Sequence, residues 1–139
     1  MLEVDELGPT RFVHGSPRSD EECVTVETPL ERVREFLAGM PERTIVTAHT
    51  HVGYARELDG VRLLNPGSVG LPYEGRPGAY WALLGPDVEH RRTEYDLEAA
   101  LQRMAAAGLP GWDEYEQLLR SPPTPAEVIA DAEQRVFAG

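Results

Sequence analysis

The sequence feature that most constrains the fold is a short apolar run that leads into two closely spaced histidines. Thr44, Ile45 and Val46 are typical of a buried strand, and His49 and His51 follow shortly after it. On extended backbone, residues two apart point to the same side, so both imidazoles are expected to face one cavity. Since imidazole is the commonest side-chain metal ligand, this strand end predicts a metal site that needs further ligands beside it.

Strand and helix signals alternate along the part of the chain before residue 96. Thr28 and Glu31 form a potential capping box for a helix with an apolar stripe, and Asp59-Gly60 between two β-prone runs predicts a hairpin. The predicted elements are strands at 10–13 and 44–47, a helix at 29–38, a hairpin at 54–64, and strands at 79–84 and 88–95. This order predicts an α/β or α+β fold, with helices packed on a sheet.

A helical tail is expected after this part. Asp96 is a potential cap for its first helix, and Thr124 and Glu127 form a second potential capping box for its last helix. The expected helices lie at 97–107, at 112–119 and from 125 through about Phe137. We therefore expect a helical extension, residues 96–139, that packs on residues 1–95.

Composition disfavours several classes of partner. The chain has 139 residues and a formal net charge of −11, and all 13 positive residues are arginine. A negative field opposes binding to nucleic acid and to anionic membranes, and it repels a phosphate substrate unless a metal reverses the local field. Cys23 is the only cysteine, so no intrachain disulfide is expected. Because residues 1–7 lack a signal-peptide pattern and no apolar run approaches ~20 residues, we expect a cytoplasmic protein.

A third histidine lies at the end of another predicted strand. His14 follows the strand at 10–13, as His49 and His51 follow the strand at 44–47. If these strands are neighbours, the three imidazoles meet at one edge of the sheet, and three protein ligands with one water are typical of a catalytic metal site. The alternative is that they are ordinary loop histidines, because a His-x-His pattern alone is weakly specific.

The turn-forming segment after the hairpin has two interpretations. Asn65, Gly67 and Ser68 belong to a tight turn that fixes the sheet edge under the histidines, or they form a nest of backbone N–H groups for an anion. We favour the turn, since Pro66 removes one donor. The remaining histidine, His90, lies between polar and arginine residues and is expected to face solvent.

Two loop arginines are candidates for contacts to a substrate phosphate. Arg18 and Arg76 lie in loops near the predicted site, and guanidinium groups bind phosphate through paired hydrogen bonds. The alternative is that each is a solvated surface arginine.

Taken together, these motifs resemble the second half of the calcineurin-like metallophosphoesterases, in particular their small bacterial phosphodiesterase branch. The resemblance covers about residues 10–95. It rests on the order of His14-Gly15-Ser16-Pro17-Arg18, Ala48-His49-Thr50-His51, Asn65-Pro66-Gly67-Ser68-Val69-Gly70-Leu71-Pro72 and Gly78-Ala79-Tyr80-Trp81. It implies an α/β class, an α/β/β/α sandwich with a mixed sheet and flanking helices, of which residues 1–95 form the C-terminal half and the N-terminal half is missing.

The resemblance also implies a two-metal site. His14 and His49 would bind one metal and His51 the other, with Mn²⁺ expected and Fe, Zn²⁺ or Ni²⁺ as alternatives. A metal-activated hydroxide would then hydrolyse a phosphodiester or phosphomonoester of a small molecule. The Asp-x-His, Gly-Asp and Gly-Asn-His-Asp motifs of the family's first half do not occur in this chain, and no catalytic residue is identifiable. We therefore expect little or no activity from this chain alone.

Several interpretations of this half-site stay open. The chain is a truncated reading frame, one half of a split enzyme whose partner supplies the missing half, or a degenerate family member. A non-catalytic binding or scaffolding module and a single-metal site of the three histidines are the functional alternatives. An exposed sheet edge also predicts an uncovered apolar patch that favours self-association or a partner.

Overall fold

The computed structural model describes residues 2–4 and 7–135. Its larger sheet contains five strands: β1 (Leu2–Val4), β2 (Gly8–Phe12), β3 (Thr44–Val46), β4 (Tyr54–Leu58) and β5 (Val61–Asn65). The spatial order is β1-β2-β3-β5-β4. The three central strands, β2, β3 and β5, run parallel, and each edge strand is antiparallel to its neighbour. The sheet is therefore mixed, as the family resemblance implied, and the Asp59-Gly60 hairpin is confirmed.

The parallel register brings the ends of the three central strands to one edge of the sheet. Phe12 lies opposite Val46, and Val46 lies opposite Leu64. The segments that leave these strands therefore start side by side. These segments carry His14, the histidine loop (residues 47–53) and the turn after Asn65, although they are far apart in the sequence.

The core lies between the sheet and helix α1 (Leu30–Leu37). Val33 and Phe36 of the helix pack in one cluster with Ile45 and Leu63 of the sheet. Complete burial of each such side chain contributes about 1.5–3 kcal/mol. Leu63 and its neighbour Leu64 point to opposite faces, and both are fully buried. Both faces of the sheet are therefore covered at strand β5.

The start of α1 differs from the predicted capping box. The helix begins at Leu30 with Pro29 in the cap position, and no side chain caps it. The hydroxyl of Thr28 instead donates to Oε1 of Glu133, at 2.8 Å, and accepts from the backbone N–H of Thr25. The predicted Thr28 cap is wrong because this side chain is used for a contact 105 residues away.

A separate two-stranded antiparallel sheet follows, formed by β6 (Ala79–Leu84) and β7 (Val88–Thr93). It is tied to the turn after β5 by two hydrogen bonds. Tyr80 N–H donates to the carbonyl of Ser68 at 3.0 Å, and Nε2 of His90 donates to the carbonyl of Asn65 at 2.8 Å. The His90 side chain is exposed, as its polar neighbours predicted, although its ring also makes this hydrogen bond.

Three helices complete the chain: α2 (Leu97–Ala106), α3 (Trp112–Arg120) and α4 (Pro125–Gln134). The Asp96 side chain caps α2 by accepting from Ala99 N–H, and the capping box of Thr124 and Glu127 is present at α4. Both predicted caps are confirmed. The predicted continuation of α4 to Phe137 lies outside the described residues. No helix among the described residues is long and apolar enough to cross a membrane.

Candidate functional site

The parallel pairing of β2 and β3 continues beyond both strands and brings two histidines together. Val13 N–H donates to the carbonyl of Val46, and Ala48 N–H donates to the carbonyl of His14, at 2.9 and 2.8 Å. His14 Nε2 then lies 3.0 Å from His49 Nδ1. Their rings meet edge to face, with centroids 4.8 Å apart. The backbone ladder therefore holds this imidazole pair in place.

The loop that carries His49 and His51 is not extended. Both residues have left-handed backbone, with φ of 64° and 58°, and Thr50 N–H donates to the carbonyl of Ala48 at 2.7 Å. The sequence predicted that both side chains project from one extended segment, and the extended backbone in that prediction is wrong. Both imidazoles nevertheless line one cavity, because the chain makes two left-handed bends.

Asn65 holds the histidine loop against the end of β5. Its side-chain amide donates to the carbonyl of Ala48 at 2.7 Å and to Thr50 Oγ1 at 3.2 Å. Its Oδ1 accepts from Gly67 N–H at 2.9 Å, where glycine takes a positive φ of 86°. Ser68 adds a bond from Leu71 N–H to its hydroxyl oxygen. The turn after β5 is therefore joined to the histidine loop through the hydrogen bonds of Asn65.

The orientation of His51 is fixed by a backbone carbonyl. Its Nδ1 lies 2.7 Å from the carbonyl oxygen of Leu71. Since a carbonyl can only accept, Nδ1 carries the proton, and Nε2 carries the lone pair in the neutral ring. The ring of Tyr73 lies beside it, with centroids 4.9 Å apart. His51 therefore presents Nε2 as its available ligand atom.

The electrostatic surroundings of His49 favour the neutral imidazole. Burial lowers its pKa most, and the positive charges of His14, His51 and Arg135 lower it further. Metal ions bind the neutral ring and not the imidazolium. The lowered pKa of His49 therefore favours the protonation state in which this imidazole can hold a cation.

A cavity of about 310 Å³ lies between the histidine loop and helix α4. One wall is formed by His49, Thr50 and His51, and Cys23 and Tyr73 lie beside it. The opposite wall comes from α4 and consists of Val128, Asp131, Ala132 and Arg135. Burial raises the pKa of the Cys23 thiol, so this cysteine is not an activated nucleophile.

Comparisons with known proteins bear on this geometry. The sequence matches no protein-family model, and no curated protein is similar to it. A metallophosphoesterase from Sphaerobacter thermophilus is 26% identical, with a TM-score of 0.61 over 78% of this chain and 54% of that one. A hypothetical protein from Pyrococcus horikoshii OT3 is 20% identical, with a TM-score of 0.67 over 81% of this chain and 46% of the other.

The chain has the fold of part of a metallophosphoesterase. It spans about half the length of the two solved structures that it matches. The match supports the metallophosphoesterase superfamily that the sequence motifs indicated. It also supports a hydrolase fold of the kind that uses divalent metals.

The two loop arginines do not line the cavity of this metallophosphoesterase fold. Arg18 forms paired hydrogen bonds with Glu22, at 3.0 and 2.7 Å, and a further ion pair with Glu35. Arg76 is exposed in the loop before β6, where its carbonyl accepts from Tyr80. The assignment of either arginine to a substrate phosphate therefore stays a prediction.

Sequence reasoning missed the contribution of α4 to the site. The Thr124 capping box predicted this helix, but nothing local specifies what it packs against. Two hydrogen bonds to Glu133 hold it, from Thr25 Oγ1 at 2.6 Å and from Thr28 Oγ1 at 2.8 Å. These partners are more than a hundred residues apart in sequence, which hides them from any pattern read along the chain.

Within residues 2–4 and 7–135, no three or more histidine, cysteine or acidic side chains form a group that could hold a metal ion. The His14 and His49 rings contact each other, whereas the His51 ring is hydrogen-bonded to the Leu71 carbonyl. A self-contained site of the three histidines is therefore absent from the described part of the chain.

Proposed function

We propose that this chain forms one wall of the two-metal centre of a phosphoesterase. The observation that carries the proposal is the imidazole pair of His14 and His49, held by neighbouring parallel strands at the edge where the histidine loop also begins. The similarity to a metallophosphoesterase supports the same conclusion.

The geometry of the pair fits two ligands of one ion. Two nitrogens that each lie about 2.05 Å from a tetrahedral ion are about 3.3 Å apart, close to the 3.0 Å between His14 Nε2 and His49 Nδ1. His51, with Nε2 available, would bind a second ion. When bound, such ions lower the pKa of a water molecule and polarise a phosphoryl oxygen. The Leu71 carbonyl keeps the His51 ring oriented, and the Asn65 amide holds the backbone of the loop at Ala48.

The proposed ion is Mn²⁺, with Fe, Zn²⁺ or Ni²⁺ as alternatives, and the proposed substrate is a phosphodiester or phosphomonoester of a small molecule. The described residues supply the histidines without a bridging carboxylate. A complete centre then takes its remaining ligands from a partner or a second copy, and negligible hydrolysis is expected from this chain by itself. A non-catalytic module of the same fold is the alternative.

Metal binding to the purified chain tests this proposal. Calorimetric titration with Zn²⁺ and with Mn²⁺ is expected to show weak binding that His14→Ala and His49→Ala each reduce by roughly tenfold, as expected when one ligand of a metal site is lost. His90→Gln is the matched control, because it removes an imidazole elsewhere and keeps an N–H donor for the Asn65 carbonyl.

Two results would contradict the assignment. Binding that survives both alanine variants would place the metal elsewhere, and no detectable binding would favour the non-catalytic module. Hydrolysis of bis-p-nitrophenyl phosphate, measured with Mn²⁺ present, distinguishes an enzyme from a non-catalytic module of the same fold. Any activity that appears must fall with His49→Ala.

A further inference from the structure

The wall of the cavity opposite the histidines carries one positive charge. Arg135 follows the last turn of α4 and lines the same cavity as His49 and His51. The one acidic side chain among the lining residues is Asp131, one helical turn earlier. The cavity therefore presents a guanidinium and two imidazoles to whatever enters it, in a chain whose formal net charge is −11.

The Arg135 guanidinium already binds a carboxylate oxygen through two of its N–H groups. Its Nε and Nη2 both donate to Oδ2 of Asp131, at 3.0 and 2.5 Å. This edge of the guanidinium is also the one that binds phosphate oxygens. The side chains of Arg135 and Asp131 are 56% and 64% exposed, and exposed ion pairs of this kind add little stability. An incoming dianion can therefore replace Asp131 at small cost.

Apolar and aromatic groups also line the cavity. Val128 and Ala132 of α4 lie on the Arg135 side, and the ring of Tyr73 lies beside His51. A ligand with a charged head and a small apolar or aromatic group matches this arrangement of charged and apolar side chains. The cavity volume of about 310 Å³ is at the lower end of the range for small-molecule sites.

We propose that Arg135 is a substrate-binding residue, whose guanidinium exchanges Asp131 for a phosphoryl oxygen of a small phosphate ester with its organic group against Tyr73 and Val128. The identity of the anion rests on the phosphoesterase function proposed above. The role of α4 as a wall of the site is independent of it. In this arrangement Asp131 is an internal competitor that occupies Arg135 until substrate arrives.

Opposite effects of two substitutions test this role. Binding of phenylphosphonate, a non-hydrolysable probe, is measured on the full chain in the presence of a chelator by ³¹P NMR titration. Arg135→Gln is expected to weaken binding roughly tenfold, because a charge-assisted hydrogen bond is lost. Asp131→Asn is expected to tighten binding several-fold, because the competitor is removed. Inorganic phosphate is expected to bind more weakly than phenylphosphonate.

The chain offers a matched control pair. Arg34 and Asp59 form an ion pair with the same geometry, from Nε and Nη2 to a single carboxylate oxygen, and with similar exposure. Arg34→Gln and Asp59→Asn make the same changes in net charge and are expected to leave probe binding unchanged. A loss in Arg135→Gln no larger than in Arg34→Gln, or weaker binding in Asp131→Asn, would overturn the role of Arg135. Equal affinity for the two probes would contradict the placement of the organic group.

The same measurements separate this inference from the proposed function. Arg135-dependent probe binding in a protein that binds no metal supports the inference and overturns the two-metal proposal. Metal binding at His14 and His49 together with probe binding that does not depend on Arg135 supports the two-metal proposal and overturns the inference.

Discussion

The side chain of Asn65 is fully buried, and both ends of its amide are used. The amide nitrogen donates to the Ala48 carbonyl and to Thr50, and the oxygen accepts from Gly67. An asparagine is suited to this position because it supplies donors and an acceptor from one short side chain. A single side chain therefore links the turn after β5 to the histidine loop.

Replacing Asn65 by alanine is expected to lower the free energy of unfolding by about 1–3 kcal/mol, since buried partners lose their hydrogen bonds. The urea midpoint measures this loss, and NMR of the imidazole resonances of His49 and His51 reports whether the loop moves with it. Gln102→Ala removes an amide from an exposed position on α2 and should change neither quantity. Unchanged imidazole resonances in Asn65→Ala would show that the loop does not depend on this side chain.

Glu22 is a second buried polar residue with a measurable consequence. Burial raises its pKa, but hydrogen bonds from Arg18, Ser16 and Arg32 outweigh this effect and hold the pKa at about 2, below its usual value of 4.5. A carboxylate with a lowered pKa in the folded state stabilises that state above its unfolded pKa. This contribution, about 3 kcal/mol, is lost as the pH falls from about 4.5 to about 2.

Glu22→Gln is therefore expected to be less stable than wild type at pH 7 and to lose less stability between pH 4.5 and 2. Denaturant unfolding at several pH values gives both curves, and their difference isolates Glu22 from the other carboxylates. Parallel curves across this interval would contradict the lowered pKa.

Among the elements, α4 is the one whose position matters most for the site. It reaches the cavity through the contacts of Glu133 with Thr25 and Thr28, and it helps to bury Cys23, which is 4% exposed. Its own start is secured by the Thr124 capping box. Docking and folding of this helix therefore depend on different residues and can be perturbed separately.

Glu133→Ala is expected to loosen α4 from the sheet and speed the reaction of Cys23 with a thiol reagent such as DTNB, by several-fold or more. The reason is that two hydroxyl donors lose a charged acceptor. Glu133→Gln keeps an acceptor oxygen and should react at nearly the wild-type rate. Equal rates in both variants would show that another contact holds the helix.

At the scale of the whole molecule, the elements that local signals define were predictable. The Asp59-Gly60 hairpin, the Asp96 cap and the Thr124 capping box all form as their sequence patterns indicate. The features that depend on distant partners were not predictable. Thr28 bonds to Glu133 instead of capping α1, and α4 lies over the histidines, because these contacts exist only after the sheet has formed.

The same distinction applies to the candidate site. The motifs identified His14 and the histidine loop, but only the fold places one imidazole against the other and introduces Arg135. The division at residue 95 and the assignment of Arg18 and Arg76 to substrate stay predictions. Self-association also stays a prediction. Exposed apolar side chains such as Phe12, 45% exposed, and Val69, 63% exposed, are consistent with it.

The left-handed backbone at His49 and His51 sets a trade-off between stability and chemistry. An L-residue with a side chain in this conformation costs roughly 1–2 kcal/mol relative to glycine, and this loop contains two of them. A redesign for thermal stability alone would place glycine at both positions and lose both imidazoles. The metal binding proposed for these two imidazoles would account for the conformational energy stored in this loop.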